Sequence, residues 1–276
     1  MNLEIIRFGY TKLKLCNILH LEIGLLMSLI FLFISSSLFS QSIFENTTSV
    51  MYVNNQVISD VVSIKDSGLQ PIIYMNKPDF SDLAIIEKKT KFIDFILPAI
   101  LIEKEKIKKA YNYVVKNFDS IYYEMNDTTK YLYDYCNCNT PDQLLVCLTE
   151  HPNSIAIAQA AIESGWGTSR FFLEGNNLFG VHTHSTDSSK LEANNSSLIY
   201  VKKYNNIAES ISHYLRTLAR VSAYSLFRES RANSEDVMCT IRYLHKYSER
   251  QGAYTDDLEI IIDYNNLLSY DSLKFN

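Results

Sequence analysis

The chain has 276 residues, of which 47% are hydrophobic and 21% charged, with a net charge of −5. That length suits one or two domains, and that apolar share suits a sizeable core. The acidic balance argues against a sequence-independent nucleic-acid binder, which needs a basic surface, and leaves a neutral sugar substrate open.

The N-terminus reads as an address. Arg7, Lys12 and Lys14 precede the run "IGLLMSLIFLFISSSLFSQ", and a basic region, an apolar stretch and small residues at its end describe a secretory signal peptide over residues 1–40. The run is also nearly long enough to span a bilayer, so an uncleaved anchor with membrane association is the alternative. Either way the body is expected outside the cytoplasm, in the periplasm or cell envelope. No Cys follows the run, which argues against a lipoprotein. After cleavage Cys136, Cys138, Cys147 and Cys239 remain. They allow two disulfides whose pairing is open. Their spacing is not that of a zinc ribbon, and no metal or cofactor is expected.

Residues 41–80 are polar and mixed, with β-branched runs, and predict an extended segment with a short strand or two. From Ser81 to 272 the pattern predicts one main, mostly helical domain. Phe92, Phe95, Ile96, Ile100, Ile107 and Tyr111 recur on one helical face, and Pro98 is expected to kink or split that helix. Thr140, Pro141 and Gln143 form an N-cap, a first-turn proline and a capping-box partner. A helix from Asn153 or Ser154 runs through "IAIAQAAIES" to a C-cap at Gly165. Residues 164–206 are rich in Gly, Asn, Ser and His and predict loops with a small hairpin at "SLIYVKKY". Asn206 and Glu209 open another helix whose face is Ile207, Ile211, Tyr214, Leu215 and Leu218. Further helices are expected over 234–246 and 254–268. Strands do not alternate with helices, so a doubly wound sheet is excluded.

Glu163 stands at the C-terminal end of its helix, where the dipole disfavours an ionised carboxylate. Partial burial beside Trp166 would raise its pKa further. A carboxylic acid kept protonated near neutral pH is what glycoside hydrolysis asks of a general acid. Gly165 and Gly167 let the chain turn sharply around Trp166. Asn176 and Asn177 offer amides beside Phe179, which suits an acetamido sugar; turn chemistry explains the same asparagines equally well. His182 and His184 lack a carboxylate at a metal-binding offset and read as solvent-facing or substrate-lining.

The stretch "IAIAQAAIESGWGTSRFFLEGNNLFG" resembles the signature of the glucosaminidases of glycoside hydrolase family 73, in its Bax-like branch. "KFIDFILPAILIEKEKI", "YNNIAESISHYLRTL" and "YSERQGAYTDDLEIIIDYN" resemble further blocks of that branch, in order, so the likeness spans roughly residues 85–268. The resemblance implies a mainly α, lysozyme-like α+β fold with a helical lobe and a small β-hairpin lobe. It implies an enzyme, an endo-β-N-acetylglucosaminidase acting on peptidoglycan glycan strands at the β-1,4 bond after N-acetylglucosamine. The family's acid falls on Glu163 and its tyrosine motif on Tyr247, with Tyr254 as a second candidate. Trp166, Asn176, Asn177, Phe179 and Tyr254 are the expected substrate-binding residues, and a monomer is expected.

The second catalytic group is open. An inverting enzyme needs a base across from the acid. Glu192 is preferred over Asp187, and Glu249 lies in the tyrosine motif. "SLIYVKKY" carries no acid where one is expected, so attack by the sugar's own acetamido group is the other route. A lytic transglycosylase on the same fold and a non-catalytic glycan-binding protein are the rival functions.

Overall fold

The computed structural model describes residues 42–45, 48–192 and 200–275. The predicted signal segment lies outside them, as does the start of "SLIYVKKY". Among the described residues no helix is long and apolar enough to cross a membrane. The helices are α1 (Ile64–Ser67), α2 (Ile85–Lys116), α3 (Phe118–Tyr123), α4 (Asp127–Cys136), α5 (Pro141–Leu148), α6 (Asn153–Ser164), α7 (Arg170–Gly175), α8 (Ile207–Arg220), α9 (Ser225–Ala232), α10 (Val237–Thr240) and α11 (Gly252–Tyr264). Strands β1 (Met51–Val53) and β2 (Ile72–Tyr74) pair in parallel. Strands β3 (His182–Thr183), β4 (Lys190–Glu192) and β5 (Tyr200–Lys202) form an antiparallel sheet with β5 in the middle. A helical body with a small β lobe between α7 and α8 is the lysozyme-like arrangement expected. The lobe is a three-stranded sheet rather than a lone hairpin.

The long helix α2 corrects one expectation. It runs unbroken for 32 residues with Pro98 inside. Proline removes one backbone hydrogen bond and crowds the preceding turn, at about 3 kcal/mol. Here every residue from Phe92 to Lys104 is buried, so packing on all sides outweighs that loss. Three charged residues sit in the same stretch, and each has a partner. Asp94 accepts from the Ile64 amide at 3.1 Å. Glu103 accepts from Lys106 at 2.6 Å, and Lys104 donates to Asn153 Oδ1 at 2.5 Å and reaches Glu150 at 3.2 Å.

The local signals for helix ends hold. Thr140 Oγ1 accepts from the Gln143 amide at 3.3 Å, while Gln143 reaches back to the Asn139 amide at 3.0 Å. Asn206 Oδ1 accepts from the Glu209 amide at 3.1 Å, and Glu209 accepts from the Asn205 amide at 3.0 Å. Helix α8 buries Ile207, Ile211, Tyr214, Leu215 and Leu218, the face that its spacing predicts. The region expected as one helix over 234–246 is instead α10 continued by a 3-10 helix, Ile241–Tyr247. The helix α9 was not foreseen.

The N-terminal segment joins the main core. Val61, Ile72, Ile73, Tyr74 and Phe80 are buried with Phe92, Phe95 and Phe172. Tyr74 stacks on Phe95 at 5.4 Å, and Phe80 meets Phe92 edge-on at 5.9 Å. A second, smaller core joins α4 and α5 to the C-terminal half of α2, through Leu132, Cys136, Leu144, Cys147, Leu148, Ala110 and Val114.

Candidate active site

Helix α6 carries Glu163 in its last turn. Gly165 caps it in the left-handed region, and Trp166 (φ 56) and Gly167 (φ 82) continue left-handed. Three such residues in a row reverse the chain sharply, at a steric cost for the one that is not glycine. Ser164 secures the reversal: its hydroxyl donates to Ala160 O at 2.6 Å and accepts from the Gly167 amide at 3.0 Å. Gly167 is required for a second reason. A Cβ there would stand 2.7 Å from the Phe80 ring.

Burial raises the Glu163 pKa, against a hydrogen bond from Tyr254 and the charge of Arg250, which both lower it. The carboxylate lies against the backbone of Gly180, whose added Cβ would be 2.9 Å from Glu163 Oε2. Gly180 therefore makes the room that the acid occupies. It also adopts φ 65, a second reason for glycine.

Behind Glu163 runs a buried chain of polar groups. Tyr214 OH donates to Gln159 Oε1 at 2.6 Å, and Gln159 Nε2 donates to Tyr254 OH at 2.9 Å. Tyr254 OH is then free to donate to Glu163. His151 Nε2 lies 2.9 Å from Tyr214 OH. The single tyrosine proton is committed to Gln159, so His151 must donate from Nε2. Burial holds the His151 pKa well below its usual value, which keeps the ring neutral. Gln159, Tyr214 and His151 thus hold in line the Tyr254 hydroxyl, which acts on the Glu163 carboxyl. The sequence places Tyr214 only on a core-facing helix side and assigns Gln159 and His151 no part in the site, although Gln159, one helical turn before Glu163, shares its face.

The other predicted residues divide. Tyr247 stacks on Tyr254 at 5.7 Å, and its hydroxyl donates to Phe179 O at 3.1 Å. Burial pushes its pKa up, and the nearby Glu163 charge adds to the rise. Phe179 is 2% exposed and stacks on Tyr214 at 3.9 Å, so its ring belongs to the core. Trp166 meets Phe92 edge-on at 5.7 Å with Lys89 over its ring at 5.0 Å. Both of these ring contacts are with α2.

The asparagine amides are spent on the protein. Asn177 Nδ2 donates to Val181 O at 2.9 Å and Lys202 O at 2.8 Å, while its Oδ1 accepts from the Val181 amide at 3.0 Å. Asn176 donates to Tyr204 O at 2.8 Å and accepts from Lys77 at 2.9 Å. Both are buried. They tie the β lobe to α7 and hold the turn that ends at Gly180.

The candidate second carboxylates have surroundings of their own. Among the described residues, the groups that shift Glu163 are Tyr254 and Arg250, and no carboxylate is among them. Glu192 is exposed at the end of β4, its backbone carbonyl accepting from Arg170. Asp187 closes a turn, accepting from Thr183 Oγ1 at 2.6 Å and the Ser189 amide at 2.8 Å, and these bonds lower its pKa. Glu249 is exposed. His182 and His184 do not gather into a metal-binding group among the described residues.

Comparison with known proteins gives the same likeness. Residues 148–267 match the glucosaminidase family, described as mannosyl-glycoprotein endo-beta-N-acetylglucosaminidase. Protein bax of Escherichia coli (strain K12) is 32% identical over 123 residues, which cover 42% of this chain and 44% of that protein. The matched stretch therefore spans less than half of that relative. A solved structure, the catalytic domain of the autolysin Auto from Listeria monocytogenes, is 24% identical, with a TM-score of 0.37, covering 56% of this chain and 96% of that one.

Proposed function

We propose, from a chain whose residues 148–267 match the glucosaminidase family, an exported peptidoglycan hydrolase that cleaves the β-1,4 bond after N-acetylglucosamine. The observation that carries this reading is the burial of Glu163, which keeps its carboxyl protonated to higher pH than usual. A protonated acid donates to the glycosidic oxygen as the bond breaks. Tyr254, held by Gln159, orients that acid. Tyr247 stacks on Tyr254 and holds the Phe179 carbonyl, so it positions the wall of the site at Gly180.

Glu163 has no carboxylate among its titrating neighbours. We favour attack on the anomeric carbon by the substrate's own acetamido oxygen over an enzymic base at Glu192, because "SLIYVKKY" carries no acid where one is expected. The acetamido oxygen bonds to the anomeric carbon as the leaving oxygen takes the Glu163 proton. Water then opens the cyclic intermediate and returns a proton to Glu163.

A single acid also serves a lytic transglycosylase, whose product carries a 1,6-anhydro ring and consumes no water. Mass spectrometry of purified peptidoglycan digested by the chain separates the two. Reducing N-acetylglucosamine ends support hydrolysis, and anhydro-muropeptides as the main product overturn it. Glu163→Gln is expected to cut turnover roughly a hundred- to ten-thousand-fold while glycan binding persists. Binding without turnover in both wild type and variant would mean a glycan-binding protein.

A further inference from the structure

The sequence spacing of the cysteines suggests no metal site, yet the fold gathers three of them. Cys136 ends α4, Cys138 follows the left-handed Asn137, and Cys147 lies on α5. Their Sγ atoms all lie within 4.8 Å of one another, with Cys136 1% and Cys147 7% exposed. Cys239 is exposed and outside the group.

We propose that Cys136, Cys138 and Cys147 form a trithiolate site for a thiophilic d10 cation, Zn²⁺ or Cu⁺. A Zn–S bond of about 2.3 Å sets tetrahedral sulfurs about 3.8 Å apart, so ligation closes each pair by at most about 1 Å. Soft thiolates select this class of ion over hard cations. The sulfurs line a cavity of about 300 Å³ with Asp142, Gln143, Glu229 and Arg228. That cavity leaves room for a fourth, oxygen ligand. Binding releases one proton from each thiol to solvent and leaves a complex of net negative charge. Arg228 is buried and pinned by the carbonyls of Leu218 at 2.9 Å and Val221 at 2.8 Å. Its fixed positive charge offsets that excess.

The site has a structural purpose. It joins the end of α4 to α5 inside the smaller core, and a small core gains most from a covalent or metal staple. It is independent of the reaction at Glu163.

The test uses the full, reduced chain titrated with Co²⁺ as a spectroscopic stand-in for Zn²⁺, and with Cu⁺ against a chromophoric chelator. Saturation at about one equivalent, a thiolate-to-cobalt charge-transfer band and a raised Tm are expected. Cys147→Ser and, at the more exposed position, Cys138→Ser should abolish the band and weaken binding by more than about 100-fold, since even outer-shell losses reach that size. Cys239→Ser should change nothing. Circular dichroism checks that each variant folds. A wild-type titration without the band overturns the proposal. So does a freshly purified, unreduced chain whose mass and peptide map show a disulfide among the three.

Discussion

Glu163 occupies a position that penalises its charge, and the penalty can be measured. The folded carboxyl keeps its proton to higher pH than the unfolded one. Stability from this group is therefore full below the unfolded pKa and is lost as pH rises through the folded pKa. Glu163→Gln should be more stable than wild type at neutral pH and show no gain below about pH 4. Urea unfolding at both pH values checks this; an equal gain at both would show that ionisation is not the cause. Tyr254→Phe removes a hydrogen bond that lowers the Glu163 pKa. In the proposed mechanism the active form is the acid, so rate is expected to fall as pH rises through that pKa. The alkaline limb of the kcat/KM profile should move to higher pH in the variant. The unpaired Gln159 amide should cost about 1–3 kcal/mol of stability as well. A limb that stays in place would remove Tyr254 from the positioning role. Gly180→Ala puts a methyl 2.9 Å from Glu163 Oε2 at φ 65. It should cost about 1–2 kcal/mol in backbone strain and lower kcat more than it raises KM, because the acid itself is displaced.

At the scale of elements, α6 is held from both ends. Gly165 caps its C-terminus. At the N-terminus Asp271 accepts from the Ser154 amide and hydroxyl, both at 2.7 Å, and Asn153 donates to Tyr270 O at 2.7 Å. The C-terminal 3-10 helix, Leu267–Tyr270, thus leads into a cap supplied from far along the chain. Asp271→Ala is expected to cost about 1–2 kcal/mol, as loss of a cap does, read from the midpoint of chemical denaturation with an unchanged slope. The elements most legible in the sequence were those with local punctuation: α5, α6 and α8 begin or end where their caps and apolar spacing place them. Pro98 misled because tertiary packing on every side of α2 outweighs a local rule. Over a run as short as Ile241–Tyr247 the i, i+3 spacing serves a 3-10 helix and an α-helix alike, so the sequence pattern does not separate them.

For the whole molecule, the division at residue 80 is one of composition and not of packing. Val61, Ile72, Ile73, Tyr74 and Phe80 fill the same core as Phe92 and Phe95, and Lys77 reaches Asn176 beside the site. A chain starting at Ser81 should lose cooperative thermal unfolding and bind a hydrophobic dye. A sharp transition close to that of the longer chain would show that residues 48–80 are dispensable. The amino-acid sequence by itself determined the helical class, the small β lobe and Glu163 at the end of its helix. These follow from periodicity, caps and glycine turns, which act over a few residues. Only the tertiary structure decided which groups touch that acid and what the asparagine amides bond to. It alone brought the three sulfurs to one point. Each of those depends on side chains distant in sequence competing for one buried polar atom or one small space, and such competition is settled by packing.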